Sequence, residues 1–418
     1  MTPPAARLLA AALAVALAAG GSAIAARQDV LGAALADPSV RVALAEVEAR
    51  RDRTARWLAD LGAIVSPSGQ EHARAAAVAA EMRRIGLQRV AVDGAPNAVG
   101  IVPGRSGKAL VFVSTLDDLA TVAEHQRAAS GPPRVDGDRV VGPGTNTSTT
   151  TAAMVAAADA LVRARVAPLH DLVFAAVAQE ETGLKGMQAL YEAWRDRAVA
   201  FVDILGDGRS ITYGAITIHW WKVVATGPAG HSLGGGVPNV NQGIGRAVDR
   251  ILQLPHPARF ADSRTIVNVA MLQSGAVYNH KPESGWFSLD IRSLEASHVA
   301  DTEAAVRQVL DEVTRETGIR FAMEPTQLTP GGQLPGFGDG AIVTTAAAIA
   351  RHLGYEPRLG NAGSSNMNVA LGRGTPAIGL GGERGGRRGW PDEWADIPQM
   401  MRTARFVVLL AATIGRQP

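Results

Sequence analysis

Trp286-Phe287-Ser288-Leu289-Asp290-Ile291-Arg292 decides how the middle of the chain is read. Phe287, Leu289 and Ile291 alternate with Ser288, Asp290 and Arg292, the period of two that marks a strand with one buried and one wetted face. Upstream, Ile266–Met271 also reads as a strand, and before it Ile244, Ala247, Val248, Ile251 and Leu252 share one helical face. Ala215–Thr226 reads as a strand ahead of that helix. Downstream, Val299, Val306, Val309, Leu310 and Val313 mark a second helix that closes at Gly318, and Ile319–Met323 is a last strand. Strand–helix–strand–strand–helix–strand is the ferredoxin-like unit.

Both flanks have a different character. Asp37-Pro38 opens a helical pattern that runs through Leu58. Ser68-Gly69-Gln70-Glu71 has the spacing of a capping box, with Ser68 as N-cap and Glu71 at N3, and its helix ends at Gly86. Strand-like runs follow at Arg89–Val92, Ala98–Val102 and Ala109–Val113. An alanine-rich helix is expected from about Thr151 to Arg163, then a strand at Leu172–Ala178. Strands alternating with helices predict an α/β layer structure around a largely buried sheet. The expected organisation is one α/β domain built from residues 27–211 and 326–418, with an α+β ferredoxin-like domain inserted at 212–325.

Composition sets outer bounds. A chain of 418 residues that is 47% hydrophobic and 19% charged can bury a sizeable core. Lys and Arg number 41 against 39 Asp and Glu, with no run of five like charges, which argues against a nucleic-acid partner. All the basic residues except Lys108, Lys185, Lys222 and Lys281 are arginine, a pattern we read as coding bias. Cysteine is absent, so disulfides, thiolate metal sites and a catalytic thiol are excluded. Arg7, the apolar run Leu8–Ala19 and Ala23-Ile24-Ala25 predict a signal peptide over 1–26 and a periplasmic or secreted product. An uncleaved anchor is the alternative. No later stretch is long and apolar enough to span a bilayer.

With Phe112 to Leu119 the chain resembles, over nearly its whole mature length, the dimetal metallopeptidase family of aminoacylases, carboxypeptidase G, peptidase T and succinyl-diaminopimelate desuccinylase. The matching segments, in order, are Ser66 to Glu71, Val111 to Val122, Gly142-Pro143-Gly144, Gln179-Glu180-Glu181-Thr182-Gly183, Gly208, Gly230-His231-Ser232, Asp290-Ile291-Arg292, Ser364 to Asn368 and Glu393-Trp394. The resemblance implies a zinc-exopeptidase-like domain, whose mixed sheet is flanked by helices, carrying a ferredoxin-like lid that mediates a homodimer. It also implies small peptide or acyl amino-acid ligands, and two zinc ions held by five ligands beside a general base.

Carried over residue by residue, Glu180 falls on the base and Glu181 on a metal ligand. Asp207 falls on another ligand, with Asp203 close enough to leave that alignment open. Asp117 falls on the aspartate that orients the first histidine. The other three ligand positions hold Thr115, Thr147 and Gly389, and the closest histidine to the first is His125. Hydroxyls and a glycine are poor substitutes for imidazole and carboxylate at a dipositive ion. No zinc, or only partial zinc, is therefore expected. His231 matches a family histidine that stabilises the oxyanion in the partner subunit's site. Asn279 and Arg292 match substrate-binding positions, Arg292 being suited to a carboxylate.

Three functions compete. One is a degenerate member, a pseudoenzyme or one with altered chemistry, that binds peptide-like or N-acyl amino-acid ligands. Another is an active metallo-exopeptidase or amidohydrolase with a remodelled metal site. The third is a serine hydrolase using Ser232, since Gly230-His231-Ser232-Leu233-Gly234 fits G-x-S-x-G. The fold implied by the resemblance clusters these carboxylates, which need a cation in place of metal. The loop Gly385-Gly386-Arg387-Arg388-Gly389 predicts that Arg387 or Arg388 pairs with Glu181 or Asp207.

Overall fold

The structure, a computed structural model, describes residues 30–254 and 263–417. The targeting segment read at 1–26 lies outside the described residues. Among the described residues, no helix is long and apolar enough to cross a membrane.

Ala109–Thr115 and Asp171–Val177 are continuous apolar runs because both faces of their sheet are covered. Leu110, Phe112, Leu172 and Phe174 point into one core, and Val111, Val113, Val173 and Ala175 into the other. Phe112 and Phe174 stack with ring centroids 5.4 Å apart. The eight-stranded sheet runs in the order Gln88–Val92, Ala98–Val102, Asp171–Val177, Ala109–Thr115, Ala198–Ile204, Ala377–Gly381, Ser210–Thr212, Arg358–Gly360. Its central strands are parallel, and antiparallel pairs flank them. Helices Pro38–Ala49, Arg51–Gly62, His72–Arg84, Thr145–Arg163, Ala341–His352 and Ile397–Thr413 supply one core; Lys185–Trp194 and Met367–Leu371 supply the other.

The ferredoxin-like order is present. Ile266–Asn268, Ser284–Ser293, Thr217–Thr226 and Arg320–Thr329 are neighbours in that order, all antiparallel, and Leu272–Ser274 pairs beside the first. Helices Val240–Leu252 and Ala296–Thr317 cover one face of this sheet over Trp221, Val223, Phe287, Leu289 and Ile291. The molecule is thus a mixed α/β domain with flanking helices plus an inserted α+β lid. A small third sheet pairs Gly385–Gly386, Trp394–Asp396, Arg139–Val141 and Arg134–Asp136. It holds the 385–394 loop against the start of helix Thr145–Arg163.

Three local expectations are corrected. The helix expected from Thr151 begins at Thr145, so Thr147 lies in its first turn. The β-branched threonines weaken local propensity. Glu393 compensates from a distance, its carboxylate accepting from Gly144 N at 2.7 Å and Asn146 N at 3.2 Å. The single helix expected through Leu58 is two helices, broken at Arg50. The capping box does not form, because the carboxylate of Glu71 accepts from Gly69 N and Gln179 N while the Ser68 hydroxyl meets that of Thr182. Glu71 therefore ties the helix start to the loop that carries Glu180.

Candidate functional site

The carboxyl ends of the parallel strands converge, the usual place for a ligand site in an open α/β sheet. Thr115 and Asp117 follow Ala109–Thr115, Glu180 and Glu181 follow Asp171–Val177, and Asp203 sits near the end of Ala198–Ile204. Gln179, just before the acidic pair, adopts φ +54° and is held there by the Glu71 carboxylate at 3.0 Å. Asp117 is buried and accepts from Glu180 N at 2.9 Å and Glu181 N at 3.0 Å, which fixes where both glutamates point.

Electrostatics separates the two glutamates. Burial, with the negative charges of Glu181, Asp203 and Asp117 close by, pushes the Glu180 carboxyl up to about 8, so it is protonated at neutral pH. Glu181 is paired, taking a 2.6 Å hydrogen bond from Arg388 Nη2. Burial pushes Asp203 up to about 6, against the polar groups of Ser365 and Asn366 beside it and the hydrogen bond its Oδ2 accepts from Met367 N at 3.2 Å. Asn366 Nδ2 also donates to Thr115 Oγ1 at 3.2 Å, so the first ligand position holds a hydroxyl bonded to an amide.

Arg384 is the residue the sequence reading missed. Its Nε donates to Asn146 Oδ1 at 3.0 Å. Burial and the Arg388 charge lower its pKa to about 10, and the charges of Glu180, Glu181 and Glu393 hold it up. It occupies the same glycine-rich loop as Arg388 and carries a second positive charge to the cluster. Glu393, fastened to Gly144, Asn146 and Gly389 amides, anchors that loop; burial raises its pKa against those bonds.

Other expected residues lie elsewhere. Asp207 is buried, but its carboxylate takes hydrogen bonds from Arg209 Nε at 3.1 Å and Arg402 Nη1 at 3.4 Å, so it serves that pair of arginines; Asp203 joins the glutamates instead. Arg387 turns away to Asp392 at 2.8 Å. His231 and Asn279 bond to each other at 2.9 Å, beside His280, on the exposed edge of the lid. Ser232 opens a three-residue 3-10 turn after a two-residue strand, which is not the strand-to-helix elbow a nucleophilic serine requires. Arg292 does reach the cleft, lining it with Glu180, Glu181, Ile218, Trp220 and Ser365; Asp290 holds its Nε at 3.0 Å.

These residues do not fit a dimetal centre. Two hydroxyls and a glycine stand at ligand positions, and a guanidinium already occupies Glu181. Among the described residues, no group of three or more His, Cys, Asp or Glu side chains is placed to hold a metal ion, and His125, on helix Ala120–Ala128, joins none.

A mixed α/β domain with an inserted ferredoxin-like lid, and an acidic cleft at the strand ends, is a two-domain, body-and-lid peptidase-type fold. The sequence profile of Peptidase family M20/M25/M40 matches residues 118–413, and the chain belongs to that family. Its fold is similar to that of the aminopeptidase PepT from Bacillus cereus, with 20% identity, 88% of this chain and 99% of that chain covered, and a TM-score of 0.73. A tripeptidase from Staphylococcus aureus gives 18% identity, coverage of 88% and 99%, and a TM-score of 0.74. The M20 family metallo-carboxypeptidase Sso-CP2 from Sulfolobus solfataricus gives 13%, 87% and 99%, and 0.70. No curated protein sequence matches the chain.

Proposed function

We propose that this chain is an exported member of the family that has given up dimetal hydrolysis and binds a small carboxylate-bearing ligand, peptide-like or an N-acyl amino acid. The observation that carries this reading is the arginine substitution. Arg388 sits on Glu181, and Arg384, bonded to Asn146, adds a second positive charge that interacts with those of Glu180, Glu181 and Glu393, where the family's chemistry calls for dipositive ions. A guanidinium neutralises and hydrogen-bonds, but it offers no open coordination position to a carbonyl. Arg292 in the cleft supplies a carboxylate partner, and the protonated Glu180 can donate to a ligand oxygen. Residues 27–211 with 326–418 would form the ligand-binding body, and 212–325 the lid through which two copies pair. His231 and Asn279, exposed on that lid, would reach across the pair.

The test is metal content together with binding. Purified protein should carry far less than one zinc per chain, bind dipeptides or N-acyl amino acids by calorimetry, and leave them uncleaved. Close to two zinc per chain with cleavage of either class would overturn the reading in favour of a remodelled metallohydrolase. Sedimentation at micromolar concentration should show a dimer.

A further inference from the structure

The open face of the lid sheet carries a strip that the carboxylate cluster does not use. Ile218, Trp220, Lys222 and Val224 face away from the lid core, and the strand register sets Arg292, Asp290, Ser288 and Trp286 beside them in that order. The strip starts in the cleft, where Ile218, Trp220 and Arg292 share the opening with Glu180 and Glu181. It ends in an apolar groove of about 420 Å³ lined by Trp220, Lys222, Met271 and Trp286. Trp220 belongs to both. Trp220 is 37% and Met271 56% exposed, so apolar area is left in water beside a polar cleft.

We infer that this strip is the tail subsite for the acyl chain of an N-acyl amino acid whose carboxylate is held at Arg292. The inference rests on the carboxylate-binding reading of the cleft. Three features favour an aliphatic chain over a peptide. Strand Thr217–Thr226 is paired along both edges, so its backbone offers a peptide amide no partner. The Ser288 hydroxyl already accepts from Ala270 N and Met271 N. A peptide laid there would find no backbone partner for its amides and would leave them to water, whereas an acyl chain has none to satisfy. Cations also lie against the rings: Lys222 Nζ is 5.3 Å from the Trp286 ring centre and the Arg292 guanidinium 5.8 Å from that of Trp220, which holds the indoles as a platform. The run from Trp220 to Val224 spans about 13 Å at roughly 3.3 Å per strand residue. An extended chain that advances roughly 1.3 Å per carbon, given bonds of about 1.5 Å, would cover it with about ten carbons.

Calorimetry of the mature protein with N-acetylglycine and N-decanoylglycine tests this. Half-burial of each methylene on an open platform gives roughly a twofold gain, so the decanoyl compound, with eight more methylenes, should bind about 250-fold tighter. Trp286→Ala should remove about tenfold of that gain and leave N-acetylglycine unchanged. Met271→Glu, on the exposed rim, should do the same without touching the sheet. Equal affinities for the two compounds, both lost in Arg292→Ala, would overturn the tail subsite and leave the cleft reading standing. Binding of neither compound would overturn both. If Trp286→Ala keeps the acyl preference but dissociates a dimer in sedimentation, the strip is a contact between copies and the inference falls.

Discussion

Replacement of Glu180 by Gln should make the protein more stable, by an amount that grows with pH. In the unfolded chain this carboxyl ionises near 4.5; in the folded protein, burial and the charges of Glu181, Asp203 and Asp117 raise it to about 8. Between those values the native state holds a proton that the unfolded state has released. Stability therefore falls as pH rises, at about 1.4 kcal/mol per pH unit, up to a ceiling of about 5 kcal/mol. Above pH 8 the carboxylate is charged in both states and the penalty is complete. Glu180 lines the cleft and is partly open to solvent, so screening lowers the expected effect to about 2 kcal/mol. Glutamine keeps the shape of the protonated acid and cannot ionise. Urea unfolding of both proteins at pH 4.5, 7 and 9 should give coincident stabilities at the lowest pH and a gap of about 2 kcal/mol in favour of the variant at the highest. A gap that is constant across pH, or a variant less stable at pH 9, would refute a buried, charge-crowded Glu180.

Substitutions at two further places test the frame around the cluster. Arg74 and Asp118 are an almost fully buried ion pair at 2.6 Å, so Arg74→Met should cost about 3–5 kcal/mol in urea unfolding, and adding Asp118→Asn should recover part of that loss. Gly144 has φ +89°, and a Cβ there would lie 2.2 Å from Gln126 Nε2 and 2.5 Å from the Gly62 carbonyl oxygen. Gly144→Ala should cost about 3 kcal/mol by strain and overlap, read as a lowered unfolding midpoint.

The parts of the fold that local pattern controls could be read in the sequence. Period-two alternation at Phe287, Leu289 and Ile291 and the helical face of Val299 to Val313 appear in the structure as written, because one face of each packs on the lid core. Thr145–Ser148 could not be recognised as helix, because the group that satisfies its first amides is Glu393, some 250 residues away in sequence. The choice between Asp203 and Asp207 is of the same kind. Both are acids near one strand end, and only the position of that strand against the strand of Thr115 decides which faces the glutamates. Arg384 lay five residues ahead of the missing histidine, among other arginines and glycines, with nothing local to single it out. Trp220 was hidden by its neighbour: Trp220-Trp221 places one indole on each face and blurs the alternation.

Charge balance explains why these departures occur together. Asp117 and Asp203, both buried, and Glu180 and Glu181, half-buried at the cleft, crowd one strand end, and four such negative charges without a counter-charge would be costly. The family's chemistry answers this with two dipositive ions. In this chain two arginines supply one charge each, and Glu180, with its carboxyl raised to about 8, removes a further charge by protonation at neutral pH, while Asp203, at about 6, follows only in mild acid. The replacements at the ligand positions are neutral, so they add nothing to be balanced: Thr115 is bonded to Asn366, and Thr147 lies in a helix turn whose amides are capped by Glu393. Arginine and a protonated carboxyl share one property that dipositive ions lack, because both are hydrogen-bond donors with fixed directions. A cleft so equipped is suited to recognising ligand oxygens by geometry, and poorly suited to activating a water for attack on an amide.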